Sequence, residues 1–173
     1  VFLCNAGSKI GNHKFPNTIY LPEKWTKQTH IFYRMKKVLE LDGINDIKEI
    51  PLIKYGQNEI EKVKKWLNYH ILQKEFVILH AGSSKSHKEK RWPYFENLAM
   101  KLSSAGYEIV WTGSDEDAEL NDLLSHKIGI NLTGVFNVHE LACLGHYASF
   151  AVTNDSAPMH ILSSSNIPVF GIF

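Results

Sequence analysis

From residue 76 onward, short apolar runs alternate with segments of helical periodicity. Phe76-Val77-Ile78-Leu79 is a continuous apolar run bounded by polar residues, which predicts a strand buried on both faces. Phe95, Leu98, Ala99 and Leu102 fall at i, i+3, i+4 and i+7 and predict an amphipathic helix that Gly106 stops. Residues 107–111 predict the next strand, and residues 115–124 a helix that Ser114 can cap. A weaker strand follows over 128–132, then a helix marked by Val138, Leu141, Ala142 and Leu144. Residues 150–153 predict a strand, 157–163 a helix and 168–173 a final strand. Five strands linked by crossing helices predict an α/β fold with a parallel, doubly wound sheet.

The first half lacks this rhythm. Residues 6–28 carry Gly, Pro, Asn, Lys and Thr with little periodicity, and a structureless stretch that long is unusual inside a compact domain. Ile31, Met35, Val38 and Leu39 then predict a helix ending at Gly43. Ile60, Val63, Leu67 and Ile71 predict another, with Pro51 and Gly56 punctuating the connector between them. A boundary near residues 44–56 divides the chain into 1–50, read as the tail of a preceding domain plus a connector, and 51–173, read as a second domain. The chain has no initiator methionine and stops on an apolar strand, which reads as a piece of a longer protein.

Composition changes this picture little. With 44% hydrophobic and 21% charged residues the chain is ordinary globular material, and a net charge of +1 gives no electrostatic case for nucleic acid. Cys4 and Cys143 lie far apart without CxxC spacing, which gives neither a disulfide framework nor a zinc site and fits a reducing cytosol. The apolar runs fall far short of the ~20 residues that a membrane span needs.

The residues able to do chemistry gather where strands end and helices begin, the edge at which open parallel sheets bind ligands. Asn154-Asp155-Ser156-Ala157-Pro158-Met159-His160 joins a strand to a helix. Asp155 or Ser156 can cap that helix, leaving first-turn N–H groups and about half a positive charge to meet an anion. His160 lies one turn in, able to face the same crevice. The plainer alternative makes Asp155 a cap only and His160 a packed helix residue. His80-Ala81-Gly82-Ser83-Ser84 also follows a strand: its small residues let backbone approach a ligand, and the hydroxyls of Ser83 and Ser84 can bond phosphate oxygens. Lys90, fixed by the following Arg91-Trp92-Pro93, suits a diphosphate, unless the loop from Lys85 is simply a solvated basic segment. Asp115 or Glu116, after Trp111-Thr112-Gly113-Ser114, can bind a sugar hydroxyl. Asp115 and Asp117 also spell DxD, better explained by an acidic first turn than by a metal. Gly134, Val135 and Phe136 can line an adenine pocket or simply make a tight turn. P-loop, GxGxxG, GxSxG and HExxH patterns are all missing, and the nine histidines have no metal-ligand spacing.

Taken together and in order, these segments resemble glycosyltransferase family 9, the ADP-heptose:lipopolysaccharide heptosyltransferases. The family's C-terminal domain shows a strand ending in H-x-G/T-S/T, then K-x-W-P, a strand ending in x-G, a Leu-x-Gly segment, D-S/T-G-x-x-H and a Pro-led strand. Here these stand as His80–Ser84, Lys90-Arg91-Trp92-Pro93, Trp111-Thr112-Gly113, Leu132-Thr133-Gly134, Asp155–His160 and Pro168–Gly171. Two departures stand out: Ala157 replaces the glycine of D-S/T-G, and the loop between Ser84 and Lys90 is long. The resemblance implies a GT-B architecture of two Rossmann-like domains, of which residues 51–173 form the nucleotide-sugar domain. Carried over, Ser83, Ser84 and Lys90 would bind diphosphate and sugar, Asp115 the ribose or sugar, and Gly134, Val135 and Phe136 the adenine. Asp155, Ser156 and His160 would sit by the heptose and phosphates.

The implied reaction is inverting transfer of heptose from ADP-heptose to the lipopolysaccharide inner core, with no metal, no cofactor and no nucleic acid. In the family the catalytic base lies in the N-terminal domain, outside this chain, so the chain alone is expected to bind donor without turnover. The implied location is the cytoplasm, with peripheral contact at the inner membrane's cytoplasmic face because the acceptor is a lipid. Two alternatives remain open: a family member using another nucleotide-sugar, and a non-catalytic nucleotide-binding module.

Overall fold

The computed structural model describes residues 9–10, 18–19, 31–41, 43–47, 52–71 and 74–173. The chain separates into two compact units, Val1–Glu49 and Ile50–Phe173. In the first, strand β1 (Lys9–Ile10) pairs in parallel with β2 (Thr18–Ile19). These short strands fall inside the aperiodic stretch; the rest of 6–28 lies outside the described residues. Helix α1 (Ile31–Leu41) realises the first predicted helix and buries Val38 completely.

The second unit opens with α2 (Gln57–His70), whose start is secured by Glu59 accepting the Gly56 N–H at 2.8 Å. The chain then runs through β3 (Phe76–His80), α3 (Phe95–Ser104), β4 (Glu108–Trp111), α4 (Ala118–Lys127) and β5 (Ile130–Asn131). It closes with α5 (Val138–Gly145), β6 (Phe150–Asn154), α6 (Ala157–Ser163) and β7 (Val169–Ile172). All five strands of the main sheet are parallel, in the order β5-β4-β3-β6-β7. Successive strands run outward from β3 in one direction and then, from β6, in the other. The order therefore reverses between β3 and β6, and there the connections leave toward opposite faces and open a crevice.

Alternation along the strands divides the core in two. Phe76, Ile78, Val110 and Ala151 meet Val63 of α2, Leu141 and Leu144 of α5 and Leu162 of α6. Val77, Leu79, Ile109, Trp111 and Val152 meet Phe95 and Ala99 of α3 and Leu124 of α4. β3 is buried along its whole length, which is why it reads as an unbroken apolar run. Polar donors inside the core pin loops: the Trp111 indole donates to Ile128 O at 2.7 Å. The Asn121 amide donates to Thr112 O and Thr133 Oγ1.

The structure departs from the sequence reading in two places. The strand expected over 128–132 shrinks to Ile130–Asn131, because Gly129 takes φ 91° and the chain turns at Leu132, whose N–H makes the last bond to β4 at Trp111 O, 2.8 Å, while its carbonyl accepts the Val135 N–H at 3.1 Å. The helix expected from 115 begins as a 3₁₀ turn, Asp115–Asp117, in which Ser114 donates to the Asp117 carboxylate from both N–H and hydroxyl. Among the described residues no helix is long and apolar enough to cross a membrane.

Because Ile78 is fully buried on the central strand, Ile78→Ala should cost about 2–5 kcal/mol, whereas Leu123→Ala, 63% exposed, should stay within about 0.5 kcal/mol. Urea midpoints of the two variants check this.

Candidate functional site

At the β3–β6 switch point lies a cavity of about 310 Å³, at the low end of the roughly 300–1,000 Å³ of small-molecule sites. Its walls include His80, Ser83, Ser84, Lys90, Asp117, Asp155 and Ser156. Asn154, at the end of β6, braces the segments that carry these walls. Its buried amide donates to Ala81 O at 2.9 Å and Gly82 O at 3.0 Å, and its Oδ1 accepts the Trp92 N–H at 3.1 Å. One side chain thus ties the end of β6 to the segment after β3 and to the approach to α3.

The long loop after Ser84 becomes a 3₁₀ turn, Lys85–Lys90, kinked at His87. It delivers Lys90 across the mouth, where Nζ meets Asp155 Oδ2 at 2.7 Å. That lysine holds the Asp155 carboxyl below its ordinary value, with His160 adding to the effect. Arg91 works beneath: Nε donates to Ser83 Oγ at 3.2 Å and Nη2 to Ser83 O at 3.3 Å.

The deepest charged group is Asp117, whose Oδ2 lies 3.6 Å from His80 Nε2 and whose Oδ1 lies 3.5 Å from Arg91 Nη2. Burial pushes its carboxyl up, but His80 and the two Ser114 donors outweigh burial and hold it below the usual aspartate value. Gly82 is required here, because a β-carbon would overlap the Asp117 carboxylate. Asp117 accordingly turns inward, while Asp115, the other half of the DxD pattern, is exposed. Among the described residues no group of three His, Cys, Asp or Glu side chains is arranged to hold a metal ion.

Ser156, not Asp155, is the N-cap residue of α6, yet its hydroxyl makes no capping bond. It lies 3.0 Å from His80 Nδ1 and 3.2 Å from Asn154 O. Pro158 has no N–H and the Met159 N–H returns to Ser156 O at 3.1 Å, so side chains carry more of the anion-binding capacity than the first turn of α6. Ala157 stays outside the left-handed region, so replacing the family's glycine costs the backbone nothing.

The structure therefore brings Ser83, Ser84, Lys90, Asp155 and Ser156 around one cavity. His160 is exposed on α6, close enough to act on Asp155 but not part of the wall. Asp115 lies next to Gly134, where a β-carbon would sit 3.0 Å from Asp115 Oδ1. Val135 and the Phe136 ring turn elsewhere. Phe136 packs 5.7 Å from the Trp66 ring with Lys62 Nζ 5.4 Å from its centroid, lining a shallower groove of about 530 Å³ beside α2. That groove is larger but mostly apolar, whereas the hydroxyls and charges converge on the switch point. His80, Arg91, Asp117 and Asn154 are wall or support residues that spacing alone does not single out. The signals were a histidine closing an apolar strand and an acidic residue three after Ser114.

The fold and the position of its polar crevice define a parallel α/β domain of the Rossmann-like kind. Residues 27–173 match the family model of glycosyltransferase family 9 (heptosyltransferase), and the chain belongs to that family. It is similar to lipooligosaccharide heptosyltransferase 2 of Haemophilus influenzae, 28% identical over 149 residues that cover 78% of this chain and 43% of that protein. Its fold resembles the glycosyl transferase family 9 structure from Veillonella parvula, with TM-score 0.82, 24% identity, and coverage of 96% of this chain and 51% of that one. It also resembles the E. coli ADP-heptose LPS heptosyltransferase II structure, with TM-score 0.61, 22% identity, and coverage of 74% and 42%. The GT-B-type α/β architecture expected from the sequence is thus present, and the chain spans about half the length of these relatives.

Asp117 ionises more readily in the folded chain than its ordinary value of 3.8, so it stabilises the fold at neutral pH and loses that contribution as pH falls through the folded-state value. Urea unfolding should therefore show Asp117→Asn far less stable than wild type at neutral pH, with the gap narrowing below pH 3.8. A gap independent of pH would contradict the assignment of charge to this residue.

Proposed function

We propose that Ile50–Phe173 is the donor-binding domain of a heptosyltransferase and that its cavity takes the diphosphate and sugar of ADP-heptose. The observation that carries this reading is the convergence of Lys90, Ser83, Ser84 and Ser156 at the switch point of a family 9 chain. A lysine and three hydroxyls suit a pyrophosphate, since all can donate to its oxygens. In this reading Asp115 and Gly134, which lie side by side, take the nucleoside, the carboxylate a ribose hydroxyl and the glycine backbone the adenine; their adjacency supports it. The names of the relatives, lipooligosaccharide heptosyltransferase and ADP-heptose LPS heptosyltransferase, support the donor and a lipopolysaccharide-core acceptor.

In this reading the acceptor hydroxyl attacks the anomeric carbon from the face opposite the diphosphate, inverting it, as the anomeric C–O bond breaks and ADP departs. Negative charge grows on the leaving phosphate, and Lys90 with the hydroxyl donors meets it. Binding first requires Lys90 to exchange Asp155 for phosphate. A carboxylate base from the other domain of the architecture removes the acceptor proton. The 173-residue chain thus binds donor without transferring it. The reaction runs in the cytoplasm, at the membrane face where a lipid acceptor is presented.

Calorimetric titration with ADP, ADP-heptose, UDP and UDP-glucose tests this. Saturable ADP binding, tighter ADP-heptose binding and weak UDP binding are expected. Lys90→Ala should weaken ADP by about 10- to 100-fold, the worth of a charge-assisted hydrogen bond. Equal affinity for ADP and UDP would favour another nucleotide-sugar, and transfer by the chain alone would overturn the division of labour.

A further inference from the structure

His80 closes the central strand and is only 3% exposed, yet both of its ring nitrogens face a partner in the wall of the cavity. Nε2 lies 3.6 Å from Asp117 Oδ2 and Nδ1 lies 3.0 Å from Ser156 Oγ. The two partners make different demands. A carboxylate only accepts, so the approach of Asp117 to 3.6 Å, longer than a hydrogen bond, favours a hydrogen on Nε2 electrostatically. A hydroxyl either donates or accepts, and the other neighbour of Ser156 Oγ is the Asn154 carbonyl at 3.2 Å, which only accepts.

The direction of the Ser156 hydroxyl follows from the charge on the ring. With His80 neutral, Nδ1 is bare and takes the Ser156 hydrogen, so Oγ presents only lone pairs to the cavity. With His80 protonated, Nδ1–H donates to Oγ. The hydroxyl hydrogen is then released, either to Asn154 O or to a phosphate oxygen in the cavity.

We propose that His80 is a positioning residue whose protonation turns the Ser156 hydroxyl into a donor toward the cavity, so that binding a diphosphate is coupled to uptake of a proton by His80. The proposal rests on the donor-site reading above. It also places a buried positive charge behind the anion, where the charge of Asp117 holds it in place. The charged and titratable groups around this array are Asp117 from the turn before α4, Arg91 at 3.5 Å from Asp117, the Lys90–Asp155 pair at 2.7 Å, and His87 and Glu116 in the cavity wall.

Two measurements on the chain separate this proposal from the reading it rests on. Long-range ¹H–¹⁵N NMR of the ligand-free chain should show neutral His80 carrying its hydrogen on Nε2; a hydrogen on Nδ1 overturns the proposal whatever the chain binds. Calorimetry of ADP in buffers of different ionisation enthalpy, between about pH 5 and 8, should show wild type taking up about one more proton than His80→Asn. That comparison cancels the titration of ADP itself. Wild-type affinity should fall by about three- to tenfold per pH unit on the alkaline side, and Ser156→Ala, which leaves the ring in place, should flatten the profile. Equal proton uptake in wild type and His80→Asn, or an unchanged slope in Ser156→Ala, overturns the coupling alone. No ADP binding at any pH overturns the coupling and the donor reading together.

Discussion

The cavity depends on one buried amide. Where β3 and β6 leave the sheet, their chains diverge, and nothing in the ladder holds them at a fixed separation. Asn154 does so by bonding Ala81 O, Gly82 O and the Trp92 N–H with a side chain that has no exposure at all. Both amide hydrogens and the carbonyl oxygen are used, so the group is buried without being left wanting. Ser83 and Ser84, Lys90 and Arg91, and Asp155 and Ser156 are each within a few residues of one of these three bonds. A hydrophobic substitute would leave the Ala81 and Gly82 carbonyls and the Trp92 N–H without this partner.

Charge in the cavity is arranged in two layers. Inside, Asp117 is faced by His80, Arg91 and Ser114, and its carboxyl is held below the usual aspartate value despite burial because His80 and the two Ser114 donors together exceed the desolvation cost. At the mouth, Lys90 and Asp155 neutralise each other in a half-exposed pair. Exposed pairs of this kind are weak and exchange partners readily, which suits a lysine that must release a carboxylate to receive a phosphate. The inner charges are buried and the outer pair is half-exposed.

The layout of the sheet was legible because buried parallel strands leave continuous apolar runs and their covering helices leave 3.6-residue periodicity. Phe76–Leu79 and the Phe95–Leu102 stripe show this most clearly. The short β5 was less legible because only two of its residues join the ladder, and local turns at Gly129 and Leu132 decide where it ends. For the cavity, strand-end position identified the segments but not the direction of each side chain. Phe136 turns toward Trp66 instead of the crevice because the apolar surface of α2 lies on that side. His80, Arg91 and Asp117 come together from 80, 91 and 117 in the chain through tertiary packing alone, which no local pattern records.

The central claim is that the switch-point cavity receives the diphosphate of the donor. Amide chemical-shift mapping of the chain during an ADP titration tests it most directly. The account predicts saturable shifts centred on Ser83, Ser84, Lys90, Ser156 and Ala157, with Asp115 and Gly134 following as the nucleoside seats. Shifts centred instead on Trp66, Tyr69 and Phe136, with the cavity residues unmoved, would contradict it.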